Sequence, residues 1–83
     1  MFYVYVLKSL KDLNWYTGST NNLKRRLAEH NNGESSSTKH RRPFILIYYE
    51  ACINEEDARI REKYLKTAWG KRYIKNRLRA YLS

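Results

Sequence analysis

The chain opens with an unbroken run of aromatic and β-branched residues, Phe2 to Leu7, a composition typical of a strand. Because side chains alternate along a strand, the odd-numbered residues of this run, Tyr5 among them, should share one face, and the even-numbered residues the other. A polar stretch follows, and Trp15-Tyr16-Thr17 predicts a short second strand. So short a connection favours an antiparallel hairpin.

Beyond the hairpin, helical and strand patterns alternate. Gly18 to Asn22 should end the second strand and supply N-cap candidates for a helix, and Asn54 is the cap candidate for a later one. The predicted elements are a helix at 23–31, a mobile basic loop at 34–42, a strand at 44–49 apolar enough to be central, and helices at 55–68 and 71–82 divided by Gly70. The order ββαβαα predicts an α/β fold, with a small three-stranded antiparallel sheet flanked by helices.

Length and charge narrow the function. Eighty-three residues allow one domain, residues 1–83. Seventeen Lys and Arg against eight Asp and Glu give a net charge of +9, which favours a polyanionic partner, although a basic surface that only aids solubility is the alternative. No apolar run approaches the roughly 20 residues of a membrane-spanning helix, so nucleic acid is the expected partner and a membrane is not. The lone Cys52 suggests a reducing, cytoplasmic setting, and one Cys with two His cannot complete a standard zinc site.

Two tyrosines on the predicted hairpin are the first candidates for chemistry. Tyr5 and Tyr16 lie on neighbouring strands, where both hydroxyls could face the same side. Gly18 follows two residues after Tyr16, and its missing Cβ would let an anion approach the backbone. Cross-strand packing of the two rings is the structural alternative.

Basic residues on the first helix and in the following loop could bind phosphate. Lys24, Arg25 and Arg26 lie near the helix N-terminus, which attracts anions, and Arg26 shares a face with His30 four residues later. A solvated basic face explains the same pattern, and His30 alone is more typical of a helix end than of a catalyst. Further phosphate contacts are expected in the loop, from Lys39, Arg41 and Arg42.

Glu62 is the acidic candidate. It falls between Ala58 and Leu65 on the helical wheel, at the margin of an apolar stripe predicted to contain Ile60, Leu65, Ala68 and Trp69. A carboxylate in that position needs an arginine or a metal as partner, and a structural salt bridge is the simpler interpretation.

Taken together, these blocks resemble the GIY-YIG endonuclease superfamily. Tyr3-Val4-Tyr5 is similar to its first triplet, although Tyr3 stands where glycine is usual. Tyr16-Thr17-Gly18 is similar to its second triplet, Arg26 to its helix arginine and residues 58–66 to the block with its metal-binding glutamate. The likeness covers nearly the whole chain and is closest to small bacterial members related to the nuclease domain of the excinuclease ABC C subunit.

The resemblance implies a metal-dependent endonuclease that hydrolyses DNA phosphodiester bonds and is linked to DNA repair or recombination. The small size of the domain suggests that it is structure-specific, recognising DNA shape or branching, or that its specificity comes from elsewhere. It implies that Arg26 neutralises the scissile phosphate, that Glu62 binds one Mg²⁺ or Mn²⁺, and that Tyr5 or Tyr16 activates or orients the attacking water. His30 is the competing general base because of its better intrinsic pKa. The late asparagine of the family has only a loose match in Asn76, expected to contact nucleic acid. A non-catalytic nucleic-acid-binding module on a nuclease fold, with Trp15 and the tyrosines stacking on bases, is the alternative function.

Overall fold

Three strands and four helices make up the fold of the computed structural model, which describes residues 1–83. The elements are β1 (Phe2–Ser9), β2 (Trp15–Thr20), α1 (Leu23–Asn31), a 3₁₀ turn (Lys39–Arg41), β3 (Phe44–Cys52), α2 (Glu55–Leu65), α3 (Ala68–Arg77) and α4 (Arg79–Leu82). The sheet is antiparallel throughout, with strand order β2-β1-β3. This confirms the predicted α/β class and the antiparallel hairpin.

The central strand is β1, so the prediction that the third strand is central was wrong. Four consecutive β1 residues from Val4 to Leu7 are buried, because helices cover both faces of this strand. The later strand is equally apolar in sequence, yet its Ile45 and Tyr49 are exposed. Continuous burial on both faces marks a central strand, whereas β3 is covered incompletely and forms an edge.

Alternation along β1 divides the core into two layers, as predicted. Val4 and Val6 pack against Ala58 and Leu65 of α2 and Ile74 of α3. On the opposite face of the sheet, the side chains that pack together are Tyr5, Leu7 and Phe44, with Leu23 and Leu27 of α1 against them. The second face is the one that carries the tyrosines of interest.

Several predicted boundaries moved. The second strand continues through Gly18 to Thr20 rather than breaking at Gly18, whereas α1 has the predicted bounds. Asn54 caps α2 as predicted, its side-chain oxygen accepting from the backbone N–H groups of Glu56 and Asp57. That helix ends at Leu65, three residues earlier than expected.

Gly70 lies inside α3 and does not divide two helices. A Cβ at this position would overlap the backbone of Leu65 and the carbonyl oxygen of Tyr64, so the glycine permits close packing of α3 on the end of α2. The actual break comes earlier, at Thr67, whose hydroxyl caps α3 by accepting from the Gly70 N–H. The predicted helix at 71–82 is correspondingly α3 together with α4.

Two other expectations on packing were wrong. Ile60 and Trp69 are 58% and 67% exposed and Ala68 is exposed as well, so of the predicted stripe only Leu65 is buried. The buried stripe continues instead from Leu65 to Ile74. The loop at 34–42 is anchored rather than mobile, because Ser35 and Thr38 are buried in it. None of the helices has the length and apolar character needed to cross a membrane.

Candidate active site

The register of the β1–β2 hairpin brings the two candidate tyrosines together. Tyr5 pairs directly with Gly18, and Leu7 pairs with Tyr16, so the two tyrosines are diagonal neighbours on one face. Their ring centroids lie 6.4 Å apart. Tyr5 is only 2% exposed, whereas Tyr16 is half-buried, so Tyr16 is the more accessible of the pair.

His30 joins this cluster from the end of α1. Its Nε2 lies 2.9 Å from the Tyr5 hydroxyl, its Nδ1 lies 2.8 Å from Thr38 Oγ1, and its ring packs edge-on against Tyr16 with centroids 5.0 Å apart. The histidine is completely buried. Both ring nitrogens therefore have protein partners, and His30 is an internal member of a hydrogen-bonded chain rather than a free helix end.

The electrostatics around Tyr5 keep both groups neutral near pH 7. Burial raises the pKa of Tyr5 to about 12, although the Arg26 guanidinium beside it favours the phenolate. Burial, reinforced by the positive charge of Arg26, lowers the pKa of His30. The Thr38 hydroxyl donates to the Ser35 carbonyl oxygen, so its oxygen is left to accept from His30 Nδ1, and the Tyr5 O–H donates to Nε2. The His30 proton then resides on Nδ1 and is donated to Thr38.

Gly18 is required by this arrangement. A Cβ built on it would lie 2.5 Å from the Tyr5 hydroxyl oxygen and 3.2 Å from Cε2 of Tyr16. Because Tyr5 is held by His30 in a packed core, it has no room to retreat. The glycine thus accommodates the tyrosine ring opposite it, a role that differs from the predicted approach of an anion to the backbone.

Glu62 reaches the same edge of the sheet from α2. The Ser19 hydroxyl donates to its Oε1 at 2.6 Å, and Lys66 Nζ donates to its Oε2 at 2.7 Å. Burial alone would raise the pKa of Glu62, but the hydrogen bonds from Lys66 and Ser19 outweigh it and leave the pKa below its ordinary value. The negative charge is felt at Tyr5, whose pKa it raises. Tyr16 and Ser19, the partner of Glu62, lie on opposite faces of β2. Because β2 is an edge strand, a ligand at this edge could contact both faces of the sheet.

The donor set at Glu62 is compatible with one weakly held hard cation. No group of three or more His, Cys, Asp or Glu side chains in the chain could enclose a metal. Mg²⁺, however, commonly uses one or two carboxylates and takes its other ligands from water and substrate phosphate. Glu62 is ionised and its side chain is 21% exposed, so it can serve as that carboxylate once Lys66 gives way.

The other sequence-predicted residues differ in how they relate to this cluster. Arg26 is half-buried and pairs with Glu29 at 3.0 Å while lying beside Tyr5. Its neighbours Lys24 and Arg25 are exposed on α1. The N-terminus of α1 is already capped, since the Asn22 side chain accepts from the Arg25 N–H.

Three basic loop residues and Asn76 lie outside the tyrosine cluster. Arg41 pairs with Asp12 at 2.7 Å, and Arg42 donates from Nε to the carbonyl oxygen of Lys39 at 2.8 Å. Lys39 itself is exposed. Asn76 is exposed on α3, in a separate cleft, and no hydrogen bond joins it to the cluster.

Three partners of the site residues were not anticipated from the sequence. Ser19 and Lys66 hold Glu62, and Thr38 orients His30 from a loop eight residues further along the chain. Lys66 could have been found from its i,i+4 spacing to Glu62. No sequence signal identifies Ser19 or Thr38, because their roles depend on register and on loop folding.

Comparison with known proteins gives one consistent result. The sequence model of the GIY-YIG catalytic domain matches residues 1–79. A UPF0213 protein of Clostridium perfringens is 48% identical over 67 residues, covering 80% of this chain and 71% of its own length. A UPF0213 protein of Pediococcus acidilactici is 42% identical over 81 residues, covering 90% and 82%. The solution NMR structure of a UPF0213 protein from Bacillus halodurans is similar with a TM-score of 0.53 and 35% identity, over 89% of this chain and 82% of that one.

Proposed function

Because this chain belongs to the GIY-YIG catalytic domain family, we propose that residues 1–83 form one nuclease-like domain that hydrolyses DNA phosphodiester bonds. Membership implies a nuclease family and a nucleic-acid substrate, and GIY-YIG nucleases generally depend on a divalent metal. The observation that carries the proposal is the convergence of Tyr5, Tyr16 and His30 with Arg26 at the β2 edge, where Glu62 arrives from the other side.

Tyr16 is the tyrosine that orients the attacking water. It is the accessible member of the pair, whereas Tyr5 is 2% exposed and its hydroxyl is engaged by His30. The magnitude supports this division. Forming the Tyr5 phenolate at pH 7 against a pKa of about 12 would cost about 7 kcal/mol, which is too much for a preformed base.

Tyr5 and His30 then act from beneath the reacting atoms. Neutral His30 accepts from the Tyr5 hydroxyl, and Thr38 fixes the opposite ring nitrogen. Through this chain Tyr5 is held next to Tyr16 and Arg26 as a neutral phenol. His30 is completely buried, so it does not itself contact the attacking water.

Arg26 neutralises the scissile phosphate. Its guanidinium is half-buried beside the tyrosines, and its existing partner Glu29 fixes its position. A planar guanidinium can donate to two phosphate oxygens at once, which suits the charge that develops on them during hydrolysis. The exposed Lys24, Arg25, Lys39 and Arg42 add weaker, sequence-independent phosphate contacts.

Glu62 would hold one Mg²⁺ or Mn²⁺, with water and a substrate phosphate completing the ligand set. When bound, such a cation supplies Lewis-acid stabilisation of phosphoryl oxygens. Glu62 is suited to this because it is ionised, and because Ser19 fixes the orientation of its carboxylate. Lys66 keeps the carboxylate compensated in the meantime.

So small a domain has few surfaces with which to read base sequence. Recognition of DNA shape or branching, as in a repair or recombination intermediate, is therefore the proposed mode of selection. It would take place in the cytoplasm of a bacterial cell.

The decisive experiment compares matched pairs of variants on labelled single-stranded, duplex and branched DNA, with and without Mg²⁺ or Mn²⁺. Arg26→Ala should lose at least about 100-fold in cleavage rate, whereas Arg25→Ala, which removes only a weaker phosphate contact, should lose far less. Both arginines pair with Glu29 on one helix, but only Arg26 lies beside Tyr5.

The second matched pair lies on α2. Glu62→Gln should abolish metal-dependent cleavage, and Glu55→Gln should not, although each glutamate pairs with a basic residue four positions on. Wild-type-like cleavage by Arg26→Ala or Glu62→Gln would contradict the mechanism. A gel shift without product in every metal lane would identify a binding module in place of an enzyme.

A further inference from the structure

A second basic surface lies on the face of the sheet opposite the tyrosines. It is a cleft of about 650 Å³ between the β1–β2 connection and the C-terminal helices. We call this cleft the α3 groove. Its main lining residues are Leu13, Trp15, Lys71, Lys75, Arg79 and Leu82. The predicted phosphate contacts lie elsewhere, on α1 and in the loop at 39–42.

Most of the positive charge in the C-terminal part of the chain has no carboxylate partner, and Lys66, which pairs with Glu62, is the exception. After Glu62 the sequence contains seven Lys and Arg and no Asp or Glu. Lys71, Lys75 and Arg79 make no salt bridge, whereas the arginines at positions 25, 26, 41, 59 and 61 all have carboxylate partners. Like charges held on one face without partners destabilise a helix, so they are better explained by an anionic ligand.

The three cations are arranged as a row. Lys71 and Lys75 are four residues apart on α3, which places their side chains on nearly the same face and about 6 Å apart along the axis. Arg79 begins α4, beyond the break at Leu78, and lines the same groove. A row of this kind follows an extended polyanion, such as a nucleic-acid backbone, better than a compact anion.

The floor of the groove is aromatic and aliphatic. Trp15 is half-buried against the α2–α3 core, which fixes its indole while leaving part of it open. Leu82 is 39% exposed beside it. Leu13 is 63% exposed and has φ of +63°, a backbone conformation that costs a leucine about 1–2 kcal/mol. Its N–H donates to the Ser9 carbonyl oxygen, so this exposed leucine is held in place at the groove.

We propose that the α3 groove binds a single strand of nucleic acid, with one unpaired base against Trp15 and its phosphates on Lys71, Lys75 and Arg79. An apolar aromatic floor flanked by cations suits unstacked bases, because a duplex hides its base faces. Trp15 precedes Tyr16 on the edge strand β2, and Ser19, the partner of Glu62, lies on the Trp15 face about 13 Å along that strand. The groove thus lies along the same edge as the candidate site, so it would hold a strand that is unpaired next to the bond to be cut.

The role of the bound strand rests on the proposed nuclease function, but the binding test does not depend on cleavage. In a Trp69→Phe background, Trp15 is the sole tryptophan, and its fluorescence can be titrated with oligothymidylate in metal-free buffer. Saturable quenching is expected, with single strands binding more tightly than a blunt duplex of equal length.

A charge-matched control separates the groove from general basicity. Lys71→Ala with Lys75→Ala should weaken oligothymidylate binding about tenfold or more and lower the salt dependence by about 0.7 per lost phosphate contact. Lys63→Ala with Arg72→Ala removes the same charge from exposed positions outside the groove and should weaken binding much less.

Equal weakening by the two double variants, an absence of Trp15 quenching, or preference for the duplex would each overturn the proposal. Equal quenching by polyglutamate would also overturn it, since the groove would then fit an acidic protein segment. Loss of cleavage in Glu62→Gln with unchanged Trp15 quenching would show that binding in the groove and catalysis are separate. Quenching of Trp15 without DNA cleavage by the otherwise wild-type chain would contradict the proposed nuclease function and support strand binding in the α3 groove.

Discussion

Replacing Gly18 by alanine tests the packing on which the candidate site depends. The added Cβ would lie 2.5 Å from the Tyr5 hydroxyl oxygen and 2.7 Å from its Cζ, so the ring must move. No unusual φ is required at Gly18, and the backbone itself can accept alanine. Any cost therefore comes from the tyrosine and not from the main chain.

The magnitude follows from two losses and one gain. Overpacking a filled core costs about 2 kcal/mol. Displacing the Tyr5 hydroxyl from His30 leaves a buried nitrogen without its partner, for about 2 kcal/mol more. The lower conformational entropy of the unfolded chain with alanine stabilises the folded state by about 0.7 kcal/mol. We expect a net destabilisation of about 3 kcal/mol, equivalent to a fall in Tm of about 12–24 °C for a domain of this size.

The assay is urea or thermal unfolding of four proteins: wild type, Gly18→Ala, Tyr5→Phe and the double variant. In the Tyr5→Phe background the hydroxyl is already absent, so Gly18→Ala should cost about 2 kcal/mol less than in wild type. Thr17→Ala, in the same strand on the other face, is the control and should show no such coupling. DNA cleavage by Gly18→Ala should fall about 100-fold if the tyrosine moves by 1 Å. An equal cost in both backgrounds, or wild-type stability of Gly18→Ala, would refute the reasoning.

Three further outcomes are expected. Because the pKa of His30 is lowered in the fold, the unfolded chain binds the proton first as pH falls, so the free energy of unfolding should decrease below about pH 6.5. In His30→Gln this part of the pH dependence should be absent. Identical pH dependence of unfolding in the two proteins would contradict the prediction. Lys66→Met should raise the pKa of Glu62 and free its Oε2, lowering the Mg²⁺ concentration for half-maximal cleavage; a higher requirement would argue against a cation at Glu62. Asn54→Ala should cost about 1 kcal/mol in urea unfolding through loss of the α2 cap and leave the cleavage rate unchanged, since the cap is remote from the tyrosines.

The sequence by itself determined the local features of this protein. The two faces of β1 followed from strand alternation alone, and the structure places Val4 on one face and Tyr5 on the other as predicted. The bounds of α1 and the cap at Asn54 followed from leucine spacing and from side-chain oxygens that satisfy free N–H groups. The spacing of Tyr5, Tyr16, Arg26 and Glu62 was enough to identify the family without any knowledge of their contacts.

Tertiary structure alone decided which strand is central and what each site residue touches. The strands β1 and β3 are similarly apolar, and only the packing of helices on both faces of β1 distinguishes them. The prediction that Gly70 divides two helices was wrong because this glycine permits close packing of α3 on α2. The sequence alone cannot distinguish such a glycine from one that ends a helix.

The candidate site shows the same division. His30 was interpreted from the sequence as more typical of a helix end than of a catalyst, or as a competing general base. The folded loop at 34–42 buries it between Tyr5 and Thr38. The sequence predicted that an anion would approach the backbone at Gly18. The cross-strand register instead places the Tyr5 ring against this glycine. Such contacts join residues far apart in the chain, so no local pattern records them, and they emerge only when register and packing are fixed together.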